Sequence, residues 1–282
     1  MDFFEGLAQL ATMGVVEVTD IVEAIHREIL LRPLGRFNNG NLEHWQRGIT
    51  GRIYGTVRQA MQLVGNNIAI GLRLYNTVLK PKKIQPLPLN LRRMVNILNG
   101  VMGDHLVTHD NPLAVSMMLY DKDNYVQSGA LSGRVIVLCH GLCLSHLSWQ
   151  VAGENNLGAM LTHKLPDSTV LYLNYNTGRR ISSNGRSFAK VLQDLVESNP
   201  DITQLDLIGH SMGGLLSRSA LFYGKVQGFS WVGRVCNLVT LGTPHHGASL
   251  EQIGNFVQYK IAKLPFAGSL AKLGDLRSAG II

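Results

Sequence analysis

The residues best suited to chemistry lie in "LDLIGHSMGGLLSRSAL", Leu205 to Leu221. An apolar run ends at Gly209, Ser211 stands between Gly209 and Gly213, and a helical pattern follows at once. A serine hydroxyl is a poor nucleophile until a base takes its proton. The pattern Gly-x-Ser-x-Gly, placed where a strand gives way to a helix, sets a serine on a sharp strained turn with its hydroxyl raised above the sheet. Side chains at 209 and 213 would collide with the neighbouring strand and helix. The pattern therefore predicts a nucleophile at Ser211. The plainer alternative is a strand–turn–helix whose serine only caps the helix.

A serine attacking a carbonyl also needs two backbone N–H donors for the oxyanion that develops. The residue after the nucleophile supplies one, here Met212. The loop after an earlier strand supplies the other, and "CHGLCLS", Cys139 to Ser145, places Leu142 there. Gly141 is expected to allow the tight turn that aims this N–H inward. A third motif, "LGTPHHGASL", follows the next strand and should reach the same rim of the sheet. His140, His210, His245 and His246 are thus candidates to line the cleft. His245 and His246 come only one strand after Ser211, early for a general base. The acids beyond Ser211 are Glu251 and Asp275, and no histidine follows either.

These residues need a scaffold. "GRVIVLCHG" is a continuous apolar run of the kind found in strands covered on both faces, and "STVLYLNYN" and "TQLDLIGH" read as strands beside it. "LAVSMMLY" and "RVCNLVTL" also read as strands. "NLGAMLTHKL", "SSNGRSFAKVLQDLVESNP", "MGGLLSRSALFYG" and "SLEQIGNFVQYKIA" read as helices. Strand alternating with helix predicts a parallel α/β sheet. Residues before about 110 read as helical. Asp20 and Glu23 form a capping-box pattern ahead of Pro33. Apolar residues at 42, 45, 49, 53, 57, 60 and 64 form one helix stripe. "KPKKIQPLPLN" should be extended, followed by a short helix from Leu91 to Leu98. The reading is two regions: 1–110 helical and 111–282 an α/β core.

Four stretches together, "VLCHGLCLS", "LNYNTGRRISSNGRSFAKVLQDLV", "LIGHSMGGLLSRSAL" and "LVTLGTPHHGASLEQIGN", resemble the lipase-like α/β-hydrolases. More narrowly, they resemble the bacterial branch related to GPI inositol-deacylases, whose members also carry a helical N-terminal region. The resemblance is strongest over 134–255. It implies a mostly parallel α/β-hydrolase sheet and a serine esterase or lipase acting on a small-molecule or lipid ester. It implies Ser211 as nucleophile, with Leu142 and Met212 as oxyanion donors. The family order is serine, then acid, then histidine on later strands, so the pattern is expected to be incomplete at the C-terminus. The competing class is a shortened homologue with little turnover that binds acyl groups or a membrane surface.

Composition bounds the rest. The 282 residues carry a net charge of +7. From Ile29 to Gly103 there are eleven Lys or Arg against one acid, Glu43. That basic stretch suits a solvated face or peripheral contact with anionic lipid. Nucleic acid is disfavoured, because stacking aromatics are not interleaved with the basic residues. Cys139 and Cys143 are spaced C-x₃-C without a second pair, so neither metal nor cofactor is expected. Cys139 and Cys236 are expected to be buried thiols in strand-like runs. Asp2 and Glu5 stand where a secretory signal would carry positive charge. The window "MQLVGNNIAIGLRLYNTVL" holds Asn66, Asn67 and Arg73 and reads as a helix buried or at an interface, not a span. These features predict a cytoplasmic protein, with membrane contact at most peripheral.

Overall fold

The structure, a computed structural model, describes residues 89–246 apart from 124, 128 and 150–155, together with Gly6, Gln9, Thr12 and Gln59. The helix expected over 19–33 and, Gln59 apart, the stripe over 42–64 lie outside the described residues, as do the helix expected over 249–262 and the window from Met61 to Leu79. By contacts the chain divides into two compact units. One is Met1–Pro86 with Asn111–Leu113, and the other is Leu87–Asp110 with Ala114–Ile282. In the first, Gly6, Gln9, Thr12 and Gln59 are helical, and the Asn111 side-chain amide donates to the Gly6 carbonyl at 3.1 Å.

The second unit holds the sheet. Its elements in chain order are α1 (Leu89–Thr108), β1 (Met118–Tyr120), β2 (Gly133–Cys139), a 3₁₀ turn (His146–Trp149), α2 (Leu157–Lys164), β3 (Ser168–Asn174), α3 (Ile181–Ser198), β4 (Ile202–His210), α4 (Met212–Val226), a second 3₁₀ turn (Ser230–Arg234) and β5 (Val235–Leu241). The strand order is β1-β3-β2-β4-β5. β1 runs antiparallel to β3, and every other pair is parallel. The expected α/β architecture is therefore present.

Three local expectations change. The helix expected over Leu91–Leu98 runs from Leu89 to Thr108 and breaks regular geometry at Met102 (φ −141°, ψ 27°). Leu89 and Asn90, expected to be extended, are its first residues. The strand expected over "LAVSMMLY" is only Met118–Tyr120. Val115 N–H bonds instead to the Asn99 side chain at 2.8 Å, which ties the approach to β1 against α1. Cys236 is exposed, not buried, because β5 is the outermost strand among the described residues and its side chains are partly covered at best.

Period-2 alternation sorts the central strands into two core layers. Val135, Val137, Cys139, Leu171, Leu173, Leu205 and Leu207 pack with Phe188 and Leu192 of α3 and with Leu216 and Ala220 of α4. Ile136, Leu138, Val170, Tyr172 and Ile208 form the opposite layer with Tyr120, Trp149, Leu157 and Leu161. Each fully buried aliphatic side chain contributes about 1.5–3 kcal/mol. Among the described residues no helix is long and apolar enough to cross a membrane.

Candidate active site

β4 ends at His210 and α4 begins at Met212, so Ser211 is a one-residue corner. Its backbone sits at φ 53°, ψ −120°, a region non-glycine residues occupy at a cost of order 1–3 kcal/mol. Three bonds hold it. Its N–H donates to Leu241 O at 2.8 Å, and its carbonyl accepts from Gly214 N at 3.1 Å and from Thr243 Oγ1 at 2.9 Å. A Cβ at Gly209 would strike the backbone of Gly213 and Gly214, and one at Gly213 would strike the carbonyls of Cys139 and His140. Both glycines are thus needed for close approach. The Ser211 side chain makes no capping bond to α4. The hydroxyl is not consumed as a helix cap, and the residue is half-buried.

The loop after β2 lies against this corner. A Cβ at Gly141 would stand 3.2 Å from Ser211 Cβ and 3.2 Å from His210 Nδ1. Residues 141–144 form a turn closed by Leu144 N–H to Gly141 O at 3.2 Å. The left-handed residue of that turn is Cys143, φ 57°, and not Gly141. The role expected of Gly141 is corrected accordingly: its missing side chain makes room for Ser211, while Cys143 makes the turn. Leu142 is the second residue of this turn and Met212 the first of a helix. A β-turn and a helix start leave those N–H groups without local partners.

The turn is tied to the segment after β3. Tyr175 Oη donates to His140 O at 2.8 Å, and Cys143 N–H donates to Thr177 Oγ1 at 3.2 Å. The His140 ring meets Gly141 O at 2.9 Å through Nδ1. A carbonyl only accepts, so Nδ1 carries the proton and Nε2 keeps the lone pair.

The four candidate histidines have different fates. His140 is 1% exposed, beneath the turn instead of on an open wall, and burial pushes its pKa down to about 3. It stacks on Tyr175 with ring centroids 4.5 Å apart. His210 is exposed and meets Trp149 edge-on at 6.2 Å. His245 is held between Arg218, which donates to its Nδ1 at 2.7 Å, and Thr240 Oγ1, 3.3 Å from its Nε2. Its basic nitrogen is therefore occupied. His246 is exposed. Among the described residues no histidine hydrogen-bonds Ser211 Oγ, and no group of three or more His, Cys, Asp or Glu could hold a metal ion.

One face of the sheet turns polar at this rim. Continuing the alternation of Ile136 and Leu138, of Val170 and Tyr172, and of Ile208 come His140, Asn174 and His210, with His146 and Trp149 laid across them. His146 stacks on Tyr120 at 4.0 Å, and burial lowers its pKa to about 4. Asn174 lies beside both the His140 and His146 rings and favours their charged forms. His140 Nε2, both His146 nitrogens and Trp149 Nε1 are buried without hydrogen-bond partners.

Sequence reasoning passed over Tyr175, Thr177, Asn174 and Asn176. The available signal was polar residues in "LNYNTG" at and beyond the end of a buried strand: all six are buried, and buried polar groups are held by hydrogen bonds. Asn176 bonds through Nδ2 to Gly103 O at 2.9 Å and accepts from Gly178 N. Cys139 is a free, buried thiol whose pKa burial pushes up to about 12, which makes it inert.

Residues 130–264 match the PGAP1-like alpha/beta domain family. Two solved structures are similar. One is the Bacillus licheniformis lipase BlEst2 in propeptide form, with 25% identity, TM-score 0.38, and coverage of 58% of this chain and 32% of that one. The other is the same lipase in mature form, with 23% identity, TM-score 0.38, and coverage of 58% and 59%. The chain thus spans less than two thirds of the length of either. No curated protein matches. The chain resembles a lipase-like α/β-hydrolase of the GPI inositol-deacylase type.

Proposed function

We propose that this chain, an α/β-hydrolase by resemblance, cleaves carboxylic esters, lipid esters among them, through an acyl-enzyme on Ser211. The observation that carries the reading is the strained corner at Ser211, a half-buried residue whose hydroxyl is unused by the helix below it. Ser211 Oγ bonds to the ester carbon, and the carbonyl electron pair moves to oxygen. That oxyanion is received by the N–H groups of Leu142 and Met212. Collapse expels the alcohol, which takes up the proton surrendered by serine to a base. Water then repeats the sequence on the acyl-enzyme and frees the acid. Among the described residues we assign no base.

The last point favours a second reading, a homologue of low turnover. An oxyanion site without a complete triad still accelerates hydrolysis about 10³–10⁴-fold over water. Hydrolysis of p-nitrophenyl esters of short and long acids by the full chain separates the possibilities. Substitution Ser211→Ala is expected to lower kcat/KM by at least about 10³ if the serine is activated. A loss of only a few-fold, from an already slow parent, supports the low-turnover reading. Unchanged hydrolysis in Ser211→Ala sinks the serine mechanism.

A further inference from the structure

We propose that Tyr175 and Thr177 are positioning residues that fix the direction of the Leu142 N–H and so set the strength of the oxyanion site. The inference rests on the ester-hydrolase reading above. In a trans peptide, C=O and N–H point opposite ways in one plane. The Leu142 N–H shares its plane with the Gly141 carbonyl, which accepts from His140 Nδ1 at 2.9 Å and Leu144 N at 3.2 Å. Drawing that oxygen one way turns the N–H the other way.

The neighbouring planes are tied as well. The plane before carries the His140 carbonyl, bonded by Tyr175 Oη at 2.8 Å. The plane after carries the Cys143 N–H, bonded to Thr177 Oγ1 at 3.2 Å. Three consecutive planes are therefore fixed, the outer two by side chains two residues apart on the segment following β3. His140, Tyr175 and Thr177 are each 1% exposed, so water does not compete for these bonds. The ring of Tyr175 also lies on that of His140, at an interplanar angle of 22°. Cys143, at φ 57°, holds a conformation that a non-glycine residue keeps only when its surroundings enforce it. A donor aimed at developing charge is effective because its direction is set in advance. Tyr175 and Thr177 supply that setting without touching substrate.

The test uses the full chain and the variants Tyr175→Phe, Thr177→Val and Thr177→Ser. The first readout is the second-order rate at which an alkyl fluorophosphonate captures Ser211. There the serine oxygen bonds to phosphorus, fluoride leaves, the serine proton is released, and the phosphoryl oxygen occupies the oxyanion position. The second is the Kd of the unreactive alcohol of the same chain length, which needs no oxyanion site. Tyr175→Phe and Thr177→Val are each expected to slow capture about tenfold with the alcohol Kd unchanged, while Thr177→Ser, which restores the acceptor, stays within about twofold of the parent. Parental capture rates in both Tyr175→Phe and Thr177→Val overturn the proposal. So does a loss of capture matched by an equal loss of alcohol binding, which marks a merely structural role. If Tyr175→Phe does not fold, the Thr177 pair decides. No capture by the parent contradicts the ester-hydrolase reading itself and is told apart from the first outcome by that alone.

Discussion

A serine at a helix start ordinarily adopts extended backbone and turns its hydroxyl onto the helix N–H groups. Ser211 does neither: its φ is positive and its side chain makes no cap bond. The pattern Gly-x-Ser-x-Gly foretold this corner because both glycine positions are forced by close approach, a local matter that spacing can express. The histidines were harder. Type and position marked four of them as cleft candidates, but burial separated His140 from the rest. Burial also governs how the protein responds to acid. His140 and His146 have folded pKa values of about 3 and about 4, below the unperturbed value of about 6.5. Below that value the unfolded chain takes up protons that the folded chain refuses. Their contribution is complete above pH 6.5 and is lost as pH falls toward 4 and then 3, by at most about 1.4 kcal/mol per pH unit for each ring. Urea midpoints should drop between pH 7.5 and pH 5, and His146→Phe, which keeps a ring on Tyr120, should flatten the drop. A midpoint independent of pH over that interval contradicts the burial of neutral rings.

At the scale of elements, the strands were legible because parallel strands covered on both faces must be apolar at nearly every position. β2 and β3 obey this over most of their length and β4 over Leu205–Ile208 apart from Asp206, and all three begin within about a residue of where the sequence placed them. The ties between loops were not legible. Tyr175 meets His140 from 35 positions away, and Thr177 meets Cys143 from 34; both contacts exist only once β2 and β3 have paired. Asp206 is a third case, a carboxylate in the middle of an apolar strand. It is 4% exposed, accepts from Arg134 Nε of β2 at 2.5 Å and from Asn237 Nδ2 of β5 at 2.7 Å, and so links three adjacent strands. Replacing it removes both bonds and leaves Asn237 without its acceptor. Asp206→Ala should lower unfolding stability by about 2 kcal/mol in urea titrations at pH 7, with the α/β circular dichroism retained. Stability equal to the parent would show that the link between β2, β4 and β5 adds nothing.

At the scale of the whole molecule, the described geometry brings the Ser211 corner and the turn at 141–144 together at one rim of a five-stranded sheet. Of the eleven basic residues between Ile29 and Gly103, Arg92 and Arg93 of α1 are among the described residues. Under the proposed function Ser211, among all the serines of the chain, is the one made reactive by its place in the fold. Peptide-resolved mass spectrometry of the native full chain after brief treatment with a fluorophosphonate tests it most directly. A single adduct is expected on the peptide bearing Ser211, absent from urea-unfolded chain and from Ser211→Ala. An adduct on another serine, or equal labelling of native and unfolded chain, would contradict it.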